Sequence, residues 1–309
     1  MLIAALLAAF NATCAVAADP VYDPPVGSRW TVETEIQGRE TRPEGATTSL
    51  VRTRAELTID EKTPDGFRLS WVQRDATVEG DARSVALRRA YAGVLDNVVI
   101  HVSTDLAGKP LRVDNLEEAR AAMRQSADAL EMQFVERPAR RALFDQLMSE
   151  LTEVTPEAAP SVYVNSLALL ATAQNTGMKP GEFRQTLRPA ENPLGGDELI
   201  SKERFELLEA NAAGRLKFVN VTSIDAASMG DFLQSFARSL LAASGDSVTQ
   251  DRVDALVRSM VFSFNKRAEF EVENGMVRYV NENATTVFRS MEQNLVQTEA
   301  RTIAVTRAP

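Results

Sequence analysis

From Gly27 to about Gly80 apolar and polar positions alternate with a period of two. Trp30, Val32 and Ile36 stand between charged or polar neighbours. Further on, Val51, Ala55, Leu57 and Ile59 fall on one side, and Arg52, Arg54, Glu56, Thr58 and Asp60 on the other. A strand points successive side chains to opposite faces, so this is the pattern of half-buried antiparallel strands. Pro64-Asp65-Gly66 then supplies a turn, Pro presetting φ and Gly accepting a positive one, before Phe67, Leu69 and Trp71 resume the alternation. A strand-turn-strand unit from about Thr48 to Val78 follows. The run from Val98 to Val102 predicts another strand, turning at Ala107 to Pro110.

The period changes after Asp114. Leu116, Ala119, Met123, Ala127, Leu130 and Phe134 recur at steps of three and four, with Asp114 or Asn115 placed as N-cap, which predicts an amphipathic helix. Pro138 ends it. Leu143, Leu147 and Leu151 mark a second helix, and Val164, Leu167 and Leu170, after Pro160, a third. Strands are expected again at Phe183 to Leu187, Leu199 to Glu209 and Leu216 to Ile224, with Asn211 to Gly214 as a connecting turn. Helices follow around Met229 to Leu240 and Val253 to Met260. In the last stretch Glu269, Glu271 and Glu273 alternate with Phe270 and Val272, and Asn274-Gly275 leads to Val277 and Tyr279, a strong hairpin signal.

The order is sheet, helices, sheet, helices, sheet. Amphipathic rather than continuously apolar strands argue for α+β: a large, curved, open-barrel-like antiparallel sheet with helices packed on one face. The expected domain is 27–309, a single unit, with a two-half organisation breaking near 175–180 as the alternative. Both halves run from strands into helices, but no residue-level repeat supports a duplication.

The N-terminus adds a compartment. Leu2 to Phe10 is an uninterrupted apolar run, followed by a polar break at Asn11 to Thr13 and the small-residue tripeptide Ala15-Val16-Ala17. That is the pattern of a cleaved signal peptide over 1–18, and the run is too short for a membrane span, which takes roughly 20 residues. The expected location is the periplasm or the extracellular space. Only the α-amino group of Met1 stands where such signals carry Lys or Arg, so a true start other than Met1 would fit better. Cys14 raises a rival reading as a lipidated cysteine, which Asn11 and Thr13 disfavour. Cleavage after Ala17 or Ala18 removes this sole cysteine and with it disulfide and thiolate chemistry. Residues 19–26, with Pro20, Pro24 and Pro25, read as an extended lead-in, the fold beginning near Val26.

Composition and charge narrow the function classes. With 34 Lys and Arg against 43 Asp and Glu the formal charge is -9, which argues against nucleic acid as a partner. Arg88-Arg89 and Arg140-Arg141 read as solvated helix faces. His101 is the only histidine, so a Ser-His-Asp triad or a multi-histidine metal site would have to use it or do without. It lies one residue out of phase with Val102 and reads as a structural histidine; Ser103, two residues on, shares its face and leaves a weak hydrolytic dyad as the rival. Glu117, Glu118, Asp225, Asp231 and the alternating glutamates read as surface carboxylates. Gly195-Gly196 lacks the Lys and Ser or Thr of a phosphate loop, so no nucleotide, metal or other cofactor is expected. Asn220-Val221-Thr222 and Asn283-Ala284-Thr285 match the glycosylation sequon and matter only in a eukaryotic source.

What is left by elimination is a non-catalytic binding module. Its ligand-binding residues would be Trp30, Leu57, Phe67, Leu69 and Trp71, with His101, holding an apolar small molecule or partner segment, and its signature would be an apolar pocket between sheet and helices. An envelope structural or assembly protein would instead show an exposed apolar patch on the order of several hundred Å². A carboxylate-dependent hydrolase is the third reading.

Overall fold

A computed structural model describes residues 21–131, 138–190, 199–211, 213–243, 248–290 and 294–308. The signal segment 1–18 with Cys14, the Phe134 end of the first predicted helix and Gly195-Gly196 lie outside the described residues. In chain order the elements are β1 (Arg29–Arg42), β2 (Gly45–Thr63), β3 (Gly66–Gly80), α1 (Ala82–Val94), β4 (Val99–Thr104) and β5 (Pro110–Val113). Four helices follow: α2 (Leu116–Glu131), α3 (Pro138–Thr152), α4 (Ala159–Tyr163) and α5 (Asn165–Ala171). The second half comprises β6 (Phe183–Ala190), β7 (Leu199–Ala210), β8 (Arg215–Ile224), α6 (Ala226–Ala243), α7 (Gln250–Ser259), β9 (Val261–Glu273), β10 (Met276–Arg289) and β11 (Asn294–Arg307).

The fold is α+β, and all eleven strands form one antiparallel sheet in the order β5-β4-β3-β2-β1-β11-β10-β9-β8-β7-β6. Each half is a meander, and the two are joined where β1 pairs with β11, from Trp30 opposite Arg307 to Thr41 opposite Val296. The sheet is open, with β5 and β6 as its edges.

Residues directly opposite on neighbouring strands share a face. Following the pairings, one face carries Trp30 and Val32, then Leu57 and Ala55, Trp71 and Leu69, and Ile100 and Val102 on one side of the seam. Across it come Ile303, Val280, Phe270 and Phe218. All are buried, and Met123, Phe144, Leu151, Leu167 and Leu170 of the helices join them in one core cluster. A second apolar region forms where Leu199, Phe262 and Phe288 meet Phe232 and Phe236 of α6. Between the two, the same face turns polar: Glu282, only 6% exposed, lies 3.4 Å from Lys266 Nζ and 3.8 Å from Arg301 Nη1.

Turn chemistry explains much of the connection pattern. Asn274 and Gly275 take φ of 53° and 77°, the left-handed pair that a two-residue hairpin needs to join β9 to β10. Gly66 serves a different end from the one its sequence context suggests. It has no positive φ; a Cβ there would lie 1.9 Å from the Thr104 carbonyl oxygen, so its bare backbone is what lets β4 approach β3.

Three other local expectations change. α1 emerges where no periodicity marks it, and it carries Arg88 and Arg89. The expected helix after Pro160 is broken at Val164, whose φ of -133° leaves the helical region, giving α4 and α5. The Asn115 side chain at the start of α2 turns to the sheet, accepting from the His101 backbone N–H (2.8 Å) and donating to the Val99 carbonyl (2.9 Å). The Asp114 carboxylate likewise accepts from Ser103 Oγ and Arg112 Nε. Packing also reaches back past Val26: Tyr22 is 3% exposed, meets Phe67 edge to face at 5.3 Å and is anchored through its N–H to Asn175 Oδ1.

Candidate functional site

Along β1 the inward positions run Trp30, Val32, Thr34, Ile36, and along β2 they run Leu57, Ala55, Thr53, Val51. The side chains shrink and become mixed toward Thr34 and Thr53, so the face is no longer filled by its own residues. β3 adds a bulge here: Arg54 pairs with Arg74 and Arg52 with Thr77, so that Asp75, with φ of 54°, and Ala76 together stand opposite Thr53, one residue more than the partner strand. The bulge switches phase, so that Trp71 and Gln73 face inward before it and Val78 after it.

Over this stretch lies a cavity of about 400 Å³. Its floor is Thr34, Ile36, Val51, Thr53, Trp71 and Gln73; its roof is Ala92 of α1, Leu95, and the α4 to α5 segment from Val162 to Ser166. Thr34 and Ser166, both buried, face each other with hydroxyl oxygens 3.4 Å apart. Gln73 Nε2 donates to the Ala92 carbonyl at 2.8 Å and to Asp96 Oδ1 at 3.1 Å, which ties α1 to β3. The walls are thus largely aliphatic and aromatic, with Thr34, Ser166 and Gln73 engaged in hydrogen bonds. Two charged residues, Arg88 and Glu299, complete the lining.

Of the residues singled out by pattern, Trp30, Leu57, Leu69 and Trp71 are brought to one face, and Trp71 is the one that reaches the cavity. Trp30, Leu57, Phe67 and Leu69 are buried in the core at 6% exposure or less. Arg278 lies 4.4 Å from the Trp30 ring centre, where burial lowers its pKa. Ile36 and Val51 were legible as a continuation of the same alternation; Thr34 was not singled out by it. The α4 to α5 segment and Arg88 carried no such signal.

His101 is on the opposite face, because it alternates with the buried Ile100 and Val102. There it lines an open groove of about 1110 Å³ with Asp60, Ser70, Arg68, Asp114 and Glu117 among others. Its Nδ1 is 3.0 Å from Ser70 Oγ, which itself donates to Asp60 Oδ2 at 2.5 Å. In a catalytic triad the imidazole stands between serine and carboxylate; here the serine stands between the other two, and His101 Nδ1 is 3.9 Å from Asp60 Oδ2, a different order of the three groups. Ser103, which shares the face, donates to Asp114 Oδ2 at 2.6 Å instead. The alternating glutamates pair with basic neighbours: Arg215 with Glu273, and Lys217 and Arg267 with Glu269, whose pKa is lowered chiefly by its hydrogen bond to Arg267. Among the described residues no helix is long and apolar enough to cross a membrane.

No protein-family model matches the chain, and no curated protein sequence matches it. Among solved structures it is similar to lipovitellin, described for its lipid–protein interactions, at 8% identity and a TM-score of 0.45, over 93% of this chain and 26% of that one. It is also similar to OccK5 (OpdH) of Pseudomonas aeruginosa, at 8% identity and a TM-score of 0.22, over 92% of this chain and 99% of that one. A third similarity is to the translocator domain of the autotransporter NalP from Neisseria meningitidis, at 7% identity and a TM-score of 0.17, over 93% and 91%. The chain thus spans about a quarter of the lipovitellin chain, and likenesses at this level carry no functional assignment.

Proposed function

We propose that this protein is an exported, non-catalytic binding module that holds an apolar ligand or partner segment beneath the helices on one face of its open sheet. The supporting observation is the cavity floored by Ile36, Val51 and Trp71 and roofed by α1, α4 and α5. At about 400 Å³ it falls within the roughly 300–1,000 Å³ of small-molecule sites. The recess is partly open, and Ile36 and Val51 on its floor are only half-buried, so an apolar occupant would cover surface that the fold itself leaves in contact with water. The test is to purify the protein from its own compartment and analyse the extracted small molecules by mass spectrometry, with Val51→Phe alongside. The wild type should carry stoichiometric apolar ligand. The Phe ring should fill the floor, leaving the variant empty with an unchanged or raised Tm. An empty wild type, or equal recovery from both, sinks this reading.

A second reading, assembly in the cell envelope, is favoured by the edge strand β6. Phe183 and Leu187 are 53% and 61% exposed there, and among the described residues β6 pairs with β7 alone. A bare strand edge recruits other strands. If it does so here, Leu187→Lys should abolish a cross-linked partner complex without loss of Tm; an unchanged complex rejects the edge as the contact.

A further inference from the structure

We infer that the cavity holds a single-chain amphiphile with an anionic head, and that Arg88 of α1 binds that head. This rests on the cavity being the ligand site. Arg88 lines the cavity, and its Nη1 donates to Ser49 Oγ at 2.7 Å. The guanidinium lies over Gly38: a Cβ added at Gly38 would come within 3.7 Å of Nη1 and 2.8 Å of Ser49 Oγ, so the missing side chain on β1 leaves the space that the cation and its hydroxyl partner use. The guanidinium of Arg88 therefore lies against the sheet at Gly38 and Ser49, next to the cavity that Arg88 helps to line.

Several arginines of the sheet are paired with carboxylates. Arg52 pairs with Glu35 and Glu79, Arg74 with Glu56, and Arg301 with Glu299 and Glu282. Arg88 differs, since its described side-chain bond is to a neutral hydroxyl, and among the described residues it makes no ion pair. Glu299, the one carboxylate in the cavity lining, is engaged by Arg301 at 3.2 Å. Among the described residues the lining is thus left with one positive charge that no carboxylate pairs, beside apolar walls. A guanidinium carries five donors in a planar fork that matches a carboxylate or phosphate. Arg88 itself is exposed while Ser49 beneath it is buried, so the pair would form at the solvent edge of the site, open to a head group arriving from water.

The shape completes the match. Trp71, Leu95, Val162 and Val164 take an acyl chain, and the cavity volume is at the low end for small-molecule sites, which suits one chain rather than two. A long-chain carboxylate and a lysophosphatidate share this chemistry, and titration separates them.

The full chain, stripped of bound lipid and refolded, is titrated with palmitate, hexadecanol and palmitoyl-lysophosphatidate, reading tryptophan fluorescence. Arg88→Gln, Arg88→Lys and Val51→Phe are run in parallel, with Tm measured for each. Wild type should bind at least one of the two anions about tenfold or more tighter than the alcohol, in line with a charge-assisted hydrogen-bonded pair. The anion that binds tighter identifies the head. Arg88→Gln should erase that preference while keeping the alcohol affinity and Tm, and Arg88→Lys should restore part of it. If Arg88→Gln keeps the preference while Val51→Phe abolishes binding, the cavity reading stands and the head-group inference falls. If wild type binds none of the three, both fall.

Discussion

Tyr22 belongs to the segment that the prolines mark as a lead-in, and its phenol is buried against Phe67 and beneath Gly108, where a Cβ would come within 2.8 Å of the ring. Burial disfavours the phenolate and raises its pKa well above the ordinary value. The sign follows from linkage. A group whose folded pKa is raised contributes stability that is complete below its unfolded pKa, about 10, and is lost as pH rises above it, because the unfolded chain then releases a proton that the folded one retains. Urea denaturation of Tyr22→Phe should therefore lose less stability than wild type between about pH 9 and pH 11. Equal loss in both would mean that the ring is not held in the core. Nothing in the lead-in's composition hints at this anchor, since its partners, Phe67, Gly108 and Asn175, are supplied by distant elements.

The elements differ in how openly they declare themselves. Val51 to Ile59 and Phe67 to Trp71 alternate cleanly because only one face of each strand is buried, and Asn274-Gly275 reads as a hairpin because few residues other than Asn and Gly tolerate two consecutive positive φ values. α1 stays hidden because its sequence has no sustained apolar stripe; among its described side chains Val85, Ala90 and Ala92 are buried. The cavity was legible only as an expectation of where a pocket should lie, since its roof comes from α1, α4 and α5, whose placement over β1 and β2 is a tertiary fact. Asn115 shows the same limit. It occupies the capping position by sequence, yet its amide bridges both backbone groups it meets on β4. Asn115→Ala should cost about 0.5–1.5 kcal/mol by removing the side-chain bonds to the solvent-accessible His101 N–H and Val99 C=O. Hydrogen exchange should show faster exchange at the His101 amide; unchanged protection there would remove Asn115 as the tie between α2 and β4.

Across the whole molecule the helix-facing side of the sheet has two apolar regions separated by a charged stretch. Glu282 bridges Lys266 on β9 and Arg301 on β11, and it is nearly excluded from water. Buried charges of this kind are costly when a partner is lost, because the remaining ions are left uncompensated. Glu282→Gln strands Lys266, and leaves Arg301 with Glu299 alone, so it should destabilise the fold by about 3 kcal/mol in chemical denaturation. A loss below about 0.5 kcal/mol, typical of exposed pairs, would show the stretch to be solvated. The charges here were readable as residues, but their convergence was not: they lie on three strands whose register is set by hairpins and by the β1 to β11 seam.

That seam has a kinetic side. The two strands at the middle of the sheet are the first and last in the chain, so the central ladder is the most sequence-distant contact in the molecule. Contacts of this kind close late, after the entropy of a very long loop has been met. Each meander can zip locally from its own hairpins, but until β11 arrives β1 and β10 stand as raw edges. During synthesis the polypeptide therefore remains two half-sheets, open to chaperones and to mispairing, up to the moment its final strand becomes available.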